Sequence, residues 1–587
     1  MKTGRRLMHG RRPVFCAGVF GLLFAGLCGW LALCGWEARA DLLAARSAVT
    51  QVRTHLLADQ VRDARSALGE ASEHTAAARR ATSGPVWELA TRLPLAGRVF
   101  ETVAGLSVAA DELTRGALSD LVRAWRVLDP ATLQGAGGKV DLARLRAAGD
   151  PLADAARQVD QVDGVLAGLP PRSGVAAVDK ARATLEQRTT KLGGLISGAV
   201  TATRVLPPLL GGDGPRRYFL AVQNNAEARG TGGLVGAYAI VEADDGQLRF
   251  LAFGPNGDIA YAPSPVVDLG TEFRQTYAPN HAARLLSNSN LSPHFPYAAA
   301  IWTHMWERQT GQHLDGAIAT DPVGLSQLLA ATGPVMLPDG QTLTPANAVA
   351  LTEQGIYARY PDPAIRDRYL VGVARTVAGA LLRSRPAPLN VAHALQTMIS
   401  DGRLAMWSSH SREQRMLVRT GLGAVLPVTA GPYAHVVINN AAGNKLDYYL
   451  DRSVRYRLDP CHGGRRKSTL RVRLTNSAPA TGLPYYVTQR NDEPPFVPTP
   501  GATKIWVSIY TSVGARLREV TLDGHTHHMS EHTERRHPVY STELETPPAQ
   551  GHTLTLRLTE PATTAPPRVP VQPMARPQHT KVTDGGC

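Results

Sequence analysis

The feature that most constrains this chain is an uncharged, apolar run near its N-terminus. The run extends from Val14 to Trp36 and contains 23 residues. As a helix it would rise about 34 Å, which is enough to cross a hydrocarbon core of about 30 Å. The sequence therefore predicts a transmembrane helix over 14–36, preceded by a basic tail over 1–13.

The distribution of charge around this run predicts its orientation. The first acidic residue is Glu37, and the cations ahead of the run are Lys2, Arg5, Arg6, Arg11 and Arg12. By the positive-inside rule, the N-terminal tail is cytoplasmic and the bulk of the chain is extracytoplasmic, so we expect a single-pass protein of the plasma membrane.

Cleavage of the segment as a signal peptide is an alternative, because Ala38-Arg39-Ala40 has the A-x-A pattern of a processing site. The apolar run is longer than the about 7 to 15 residues of an ordinary signal-peptide core, which favours an uncleaved signal anchor.

The net charge of the chain restricts the kinds of molecule that the protein is expected to bind. The chain has 63 Lys and Arg against 49 Asp and Glu, a net charge of +14, and removing the five cations of the tail leaves 58 against 49, or +9. Excess positive charge is typical of proteins that bind nucleic acid, membranes or acidic polymers. Because the charge is predicted to lie outside the cytoplasm, we expect no nucleic-acid partner and favour phosphate-rich lipid or wall polymer. An arginine-rich composition with no specific partner is the alternative.

The pattern along the chain predicts an α+β multi-domain protein. Apolar residues at intervals of three and four indicate a helical stalk over 37–206, with a partner-binding coiled coil as the alternative. Alternating strands and helices indicate an α/β domain over 214–430, and short strands between turn residues indicate a C-terminal β-sandwich over 434–560. The proline-rich tail, 561–587, is expected to be extended and largely unstructured.

Two cysteines lie beyond the apolar run, Cys461 and Cys587. An even pair in an oxidising compartment predicts a disulfide, which would tether the C-terminus to the last domain. Two unrelated thiols are the alternative.

One candidate ligand site is the segment from Gln223 to Gly233, which separates two predicted strands. Its glycines, including Gly232, allow backbone N–H groups to approach an anion, and Arg229 offers a bidentate phosphate contact. The amide of Asn225 supplies both donors and an acceptor. The alternative is a tight connection whose amides satisfy buried backbone groups.

A second candidate site lies where a helix is predicted to begin, after Pro361 and Pro363. Arg359, Arg366 and Arg368 surround this helix start, where amide donors and guanidinium groups together favour phosphate. Solvated surface charges are the alternative.

Asp315 and Asp321 bracket a short predicted strand. Either carboxylate is a suitable ligand for Mg²⁺, although Asp321-Pro322 equally fits the cap of the next helix. No motif of a known cofactor site accompanies them.

In its motifs the chain resembles a bacterial family known as a domain of unknown function, DUF4012, which is common in the envelopes of Gram-positive actinobacteria. The likeness covers about 214–560. Its residues are Tyr218-Phe219-Leu220, Gln223 to Glu227, Arg229 to Gly233, Leu314-Asp315-Gly316, Asp321-Pro322, Thr332 to Val335, Tyr357, Arg366, Ser408-Ser409 and Asn444 to Asp447. The resemblance implies a location in the cell wall or envelope and no particular activity.

A weaker similarity is to LytR-CpsA-Psr proteins, which transfer glycopolymers from polyprenyl pyrophosphate to peptidoglycan. It rests on the order of Asp315-Gly316, Gly333-Pro334-Val335, Asn347, Tyr357-Ala358-Arg359 and Arg366-Asp367-Arg368. The resemblance implies that Arg229, Arg359 and Arg366 or Arg368 grip a pyrophosphate, helped by Mg²⁺.

The sequence departs from the transferase pattern at the metal site, with Gln-Asn-Asn in place of Gly-x-Asp and Gly232-Gly233 where an Asp is expected. We therefore expect a protein that binds a polyprenyl phosphate lipid or an anionic wall polymer. A glycopolymer phosphotransferase is the alternative, and the sequence leaves open whether the protein is an enzyme.

Overall fold

The computed structural model describes residues 12–58, 60–94, 96–128, 133, 135, 138–384 and 388–587, except for the side chains of 12–25, 57, 388 and 389. Residues 1–11 of the predicted cytoplasmic tail and the side chains of 14–25 in the predicted membrane segment lie outside this description. Within the part that is described, no helix is both long and apolar enough to cross a membrane. The membrane segment stays a prediction from the sequence.

The chain is a mixed α+β protein that divides into two compact units. One comprises Met1–Leu133 with Asp141–Arg204, and the other comprises Gln134–Val140 with Val205–Cys587. The predicted α/β domain and β-sandwich therefore fall within one compact unit.

The first unit is helical. Residues spaced by three and four along two of its helices form part of its core, because Val52, Ala64, Leu68 and Ala71 are all buried. A break between two helices occurs at Gly84, and Pro85 begins the next helix at the position where a missing N–H costs nothing. The helical segments are Arg12–Leu57, Val61–Ala81, Pro85–Thr91, Gly97–Glu112, the π-helical turn Leu113–Ala117, Leu118–Val127, Leu142–Ala147, Gly149–Ala167 and Ala176–Leu209.

The second unit begins with a five-stranded sheet of order β3-β2-β1-β4-β7, in which only β1 and β4 are parallel among the described strands. The strands of this region are β1 Arg216–Arg229, β2 Gly232–Asp244, β3 Gln247–Pro255, β4 Gly316–Thr320, β5 Val335–Met336, β6 Thr342–Leu343 and β7 Leu404–Ser408. One large core forms where the helix Phe295–Thr310 places Trp302 against Phe219 of β1.

Helices and single turns connect these strands. They are Asn256–Asp258, Thr271–Tyr277, Ala278–Asn280, Leu286–Asn288, Phe295–Thr310, Pro322–Thr332, Ala348–Ala350, the π-helical turn Leu351–Gly355, Ile356–Arg359, Pro363–Arg383, Pro388–Ser400 and Ser411–Thr420.

The rest of the second unit is a β-sandwich. A four-stranded sheet of order β14-β15-β11-β8 and a six-stranded sheet of order β13-β12-β16-β10-β9-β17 share one hydrophobic core, to which Ile505 and Val472 belong. The strands are β8 Ala434–Asn440, β9 Leu450–Leu458, β10 Arg465–Asn476, β11 Thr503–Thr511, β12 Arg516–Leu522, β13 His525–Thr526, β14 Ser530–Glu534, β15 His537–Thr546, β16 Gly551–Pro561 and β17 Gln578–Asp584. Two short helices, Leu446–Tyr449 and Tyr485–Thr488, interrupt the strands.

The prediction of an unstructured C-terminal tail is wrong. Residues 578–584 form β17, which pairs in parallel with β9, and Gln572 and Met574 are each 1% exposed. The prolines that suggested disorder all precede β17, so they do not interfere with its ladder. The tail instead covers the edge of β9, which would otherwise expose unpaired backbone groups.

Cys461 and Cys587 form a disulfide, with their Cα atoms 4.9 Å apart. Cys587 follows β17, and Cys461 lies in the connection between β9 and β10. The bond therefore fastens the end of the tail to the sheet that β17 completes.

Candidate functional site

The segment predicted to bind phosphate, Gln223 to Gly233, is the end of the β1–β2 hairpin. The two strands pair as far as Arg229 and Gly232, so only two residues turn between them. A bulge between Asn224 and Ala228 takes residues 225–227 out of the ladder. The amide groups of this bulge therefore need acceptors from outside the sheet.

Side chains of the protein itself accept these hydrogen bonds. The N–H of Asn225 donates to Oε1 of Glu353 at 2.9 Å, and the N–H of Ala228 donates to Oδ2 of Asp447 at 2.8 Å. The N–H of Ala226 donates to the side chain of Asn224 at 3.1 Å. Two internal carboxyl groups and one side-chain amide oxygen therefore accept the hydrogen bonds of these amides.

Asn225 and Gly232 both contact the C-terminal tail, and their ligand contacts stay a prediction. Asn225 is fully buried, and its side-chain amide donates to the carbonyl of Pro573 at 3.2 Å. Gly232 has φ +136°, and a Cβ there would lie 3.1 Å from the same carbonyl. A glycine is needed at this position because the tail packs closely on the hairpin.

Arg229 is a structural arginine. It is 4% exposed, its Nε donates to Ser287 O at 2.9 Å, and its Nη1 donates to Ala228 O at 2.9 Å. Its Nη2 donates to Glu227 Oε1 at 3.0 Å and to Asn288 Oδ1 at 3.3 Å. These four bonds engage all three guanidinium nitrogens within the protein, and the phosphate contact of Arg229 stays a prediction.

The three buried carboxyl groups of this region differ in pKa because their burial and their neighbouring charges differ. Burial acts to raise the pKa of Glu227, but Lys445 and Arg229 lower that pKa overall. Burial raises the pKa of Glu353 to about 8, with Asp321 adding to the increase, and burial raises the pKa of Asp447 to about 6. At neutral pH, Glu227 is ionised whereas Glu353 is mostly protonated.

Arg359 and Arg368 lie apart from this region. Arg359 is paired with Asp339 at 3.0 Å and has a side chain that is 40% exposed. Arg368 is exposed, and its Nε donates to Ala364 O at 3.2 Å. The amides at the start of the helix Pro363–Arg383 are already bonded to the capping side chain of Asp362. The carboxyl group of Asp362 therefore occupies these amides, and the phosphate site at this helix start stays a prediction.

Asp315 and Asp321 are also bonded within the protein. Asp321 caps the helix Pro322–Thr332, accepting from Gly324 N–H at 2.8 Å, and accepts from Arg403 at 2.7 Å. Asp315 accepts from Arg217 N–H at 2.8 Å and contacts His410 at 3.1 Å. The described residues contain no group of three or more His, Cys, Asp and Glu placed to hold a metal ion. Mg²⁺ stays a prediction from the resemblance.

Arg366 differs from the other predicted residues. It is 2% exposed, and both of its terminal guanidinium nitrogens lack a hydrogen-bond partner within the described chain. Its Cζ lies 3.6 Å from the ring centre of Tyr486 and 5.4 Å from that of Tyr357. Its ion-pair contact is Nε to Asp367 Oδ1 at 3.9 Å, which is too long for a hydrogen bond.

A second cation approaches the same aromatic ring. Lys445 Nζ lies 5.4 Å from the ring centre of Tyr486 and pairs closely with Glu227. Glu227 pairs with both Lys445 and Arg229, so this carboxylate does not neutralise Arg366. We call Arg366, Tyr357, Tyr486 and Lys445 the Arg366 site.

Sequence reasoning identified some of these residues and missed others. Tyr357 and Lys445 were visible only as parts of the family-like motifs, and Tyr486 and Glu353 were not identified. No sequence pattern identifies Glu353, because no other acidic residue lies near it along the chain. It is buried within the π-helical turn Leu351–Gly355. Such turns occur often at functional sites.

Comparison with known proteins gives a family without an activity. Residues 213–357, about a quarter of the chain, match the family described as "Protein of unknown function (DUF4012)". This match confirms that part of the predicted resemblance and extends over β1 to β6. No curated protein and no solved structure matches the chain.

Proposed function

We propose that this protein is a single-pass, membrane-anchored, extracytoplasmic protein of the bacterial cell envelope. In this proposal it binds the phosphate of a phosphorylated lipid or wall polymer at Arg366. The observation that carries the proposal is a buried guanidinium whose two terminal nitrogens have no acceptor in the described chain.

Burial leaves the Arg366 guanidinium with hydrogen-bond donors that no group of the described chain accepts. A buried cation that lacks acceptors is destabilising by several kcal/mol, roughly, relative to one that is paired. A phosphate would supply two acceptors in the geometry of the guanidinium fork, and Lys445 would add a further positive charge. The ring of Tyr486 covers a face of the guanidinium, which leaves the N–H groups at its edge to bind the anion.

Access to this site requires movement, because Arg366 is only 2% exposed. Tyr486 belongs to the connection between β10 and β11, residues 477–502, whose regular structure is the four-residue helix Tyr485–Thr488. Its neighbour Tyr485 is 80% exposed, and Val497 in the same connection is 96% exposed. Displacing this connection would open the guanidinium to a ligand.

The proposed location is supported by the sequence. The uncharged run 14–36 with its basic flank favours anchoring, and the disulfide between Cys461 and Cys587 is consistent with an oxidising compartment. The cell wall of an actinobacterium is proposed from the family resemblance alone.

The alternative of a glycopolymer phosphotransferase draws no support from the geometry. Its pyrophosphate grip needs Arg229 and Arg359, but these side chains bond to different protein acceptors. Its metal ligands, Asp315 and Asp321, are held by His410 and Arg403. Binding without catalysis is therefore the function we propose.

Titration of the detergent-solubilised full chain with inorganic pyrophosphate tests the proposal. We expect Arg366→Met to weaken binding by about ten-fold or more, because the variant removes both donors while keeping the apolar stem. Native mass spectrometry of the wild type should also recover a co-purified phosphorylated lipid, with polyprenyl phosphate added as the reference probe.

Arg368→Met is the matched control, since it changes an exposed arginine two residues further along the same helix. It should bind pyrophosphate like the wild type. Arg366→Met should unfold at the same temperature as the wild type or higher, because it removes an uncompensated buried charge. Absence of binding by the wild type, or equal weakening in both variants, would refute the site.

A further inference from the structure

The outward face of the six-stranded sheet carries a concentration of positive charge that the proposed function does not use. In β9 and β10, buried core residues such as Val454 and Val472 alternate with exposed basic residues. β17 adds one more exposed cation beside β9. We call this surface the basic face, defined by Arg455, Arg457, Lys467, Arg471, Arg473 and Lys581.

Strand register places these cations side by side. Lys581 on β17 pairs with Arg455 on β9, and Arg455 pairs with Arg471 on β10, so three cations form one row across the sheet. Side chains directly opposite each other on neighbouring strands have Cβ atoms about 4.5–5.5 Å apart, and like charges there are destabilising. The fold accepts this repulsion only because core packing fixes the register.

Few carboxylates compensate the charge. Arg457 pairs with Asp459 at 3.5 Å, whereas the other five cations of the face have no ion pair among the described residues. Six cations less one carboxylate leave a charge of +5 on this face. A surface of this kind is complementary to a polyanion.

The side chains that lie between the cations indicate which class of polyanion the face binds. Most other outward residues beside them on β9, β10 and β16 are hydroxyl-bearing, including Ser453, Thr469 and Thr555. Among the charged ones, Asp451 and Arg557 are paired with Arg576 and Glu519. None of the outward residues of these three strands is aromatic or a large aliphatic one. Apart from His579 on β17, the face therefore lacks the stacking groups that bind single-stranded nucleic acid, and it lacks the apolar groups that enter a bilayer.

The spacing of the charges favours a linear partner. Arg455 and Arg457 are two residues apart on β9, as are Arg471 and Arg473 on β10. Such pairs lie about 6.8 Å apart along a strand, which is of the order of the separation between successive phosphates in an extended phosphodiester chain. A flat face with rows of this spacing fits a polymer that lies along the strands.

We propose that the basic face is a docking surface for a linear, base-free phosphodiester polymer. The phosphates bind the arginine and lysine side chains, and the threonine and serine hydroxyls bond to the polyol or sugar units between them. This surface shares its class of ligand with the proposed function, but it is distinct from the Arg366 site and does not depend on it. Membrane lipid is the competing partner, which the experiment separates.

The test compares two triple variants of the detergent-solubilised full chain, with synthetic poly(glycerol phosphate) as the probe. The face variant is Lys467→Gln, Arg471→Gln and Arg473→Gln. The control variant is Arg412→Gln, Arg415→Gln and Arg419→Gln, three exposed arginines on the helix Ser411–Thr420. Both variants lose three positive charges, so they differ only in where the charge is removed.

We expect the wild type to bind the polymer with an affinity that falls steeply as salt rises. The face variant should bind about ten-fold more weakly or worse and show a shallower salt dependence, whereas the control should stay within about two-fold of the wild type. Pyrophosphate binding, which reports on Arg366, should stay within about two-fold of the wild type in the face variant, because Arg366 is retained. Pyrophosphate and polymer titrations of the face variant therefore distinguish failure of this proposal from failure of the Arg366 site.

Three outcomes would overturn the proposal. They are the absence of polymer binding by the wild type, equal weakening in both triple variants, and preferential loss of binding to phosphatidylglycerol vesicles in the face variant. The thermal unfolding midpoint of each variant shows whether the variant is folded. Because Arg471→Gln relieves repulsion with Arg455, the face variant should unfold no more easily than the wild type.

Discussion

Two buried glutamates near the end of β1 carry different charges because their neighbours differ. Glu227 contacts Lys445 and Arg229, which keep it ionised despite its burial. Glu353 accepts one amide hydrogen bond from Asn225, and its other oxygen has no partner in the described chain. With one amide donor and no contacting cation, burial holds Glu353 in its protonated form up to a pKa of about 8.

Replacing Glu353 by Gln should therefore remove a pH dependence of stability. Free Glu ionises near pH 4.3, so the unfolded chain loses this proton as pH rises from about 4.3 to about 8 while the folded chain keeps it. The free energy of unfolding of the wild type falls over that window, and the loss is complete above the folded pKa. We expect Glu353→Gln to match the wild type near pH 4.5 and to be more stable at pH 7.5 by roughly 1–3 kcal/mol.

Thermal unfolding at the two pH values measures this difference. Glu307→Gln, on the exposed side of the helix Phe295–Thr310, is the control and should follow the wild type at both. A variant Glu353→Gln that is destabilised equally at both pH values would show that Glu353 is ionised in the folded protein.

At the scale of elements, the C-terminal tail locks the end of the β1–β2 hairpin to the sandwich. The side chain of Gln572 accepts from Ile438 N–H at 2.8 Å and donates to Ile438 O at 2.7 Å, so it bonds to β8 as a neighbouring strand would. It also donates to Arg229 O at 2.7 Å. One amide side chain thus joins β8, β1 and the tail.

Gln572→Ala should destabilise the second unit by roughly 2–5 kcal/mol, because it leaves three buried backbone groups without partners. Chemical denaturation followed by near-ultraviolet circular dichroism measures the effect. Gln578→Ala, on the same tail, loses one hydrogen bond to Thr580 and should cost less than about 1 kcal/mol. Equal effects of the two changes would contradict the role of Gln572.

At the scale of the whole molecule, the excess positive charge has more than one origin. Five cations precede the apolar run and set its predicted orientation. A charge of +5 is concentrated on the basic face, and Arg366 and Lys445 are two further cations of the second unit. Net charge alone therefore says little about where a ligand binds.

The orientation in the membrane is directly testable. Protease added to intact protoplasts should degrade the chain beyond Trp36, because everything after the apolar run is predicted to lie outside the cell. Immunoblotting with antibodies against the N-terminal tail and the C-terminus measures what survives. The control is detergent-permeabilised protoplasts, where the tail is also degraded, and a protected C-terminal fragment in intact cells would refute the orientation.

The sequence by itself determined the features that depend on local patterns. Helical spacing, alternating strands, proline positions and the uncharged run need only neighbours along the chain, so they predicted an α+β protein with helices before strands. The same reasoning singled out the segment from Gln223 to Gly233 as one whose backbone amides need acceptors, and predicted a phosphate there. It also selected Arg366, although only as one of four candidate arginines.

Only the tertiary structure decided which groups accept the hydrogen bonds of the bulge and which arginine lacks acceptors. Glu353 and Asp447 reach the bulge of β1 from 128 and 219 residues away along the chain, so no local pattern reveals that the protein supplies those acceptors itself. Arg229 and Arg366 look alike in sequence, but folding surrounds one with acceptors and the other with aromatic rings. The rows of the basic face likewise exist only because the register of three strands brings separate cations together.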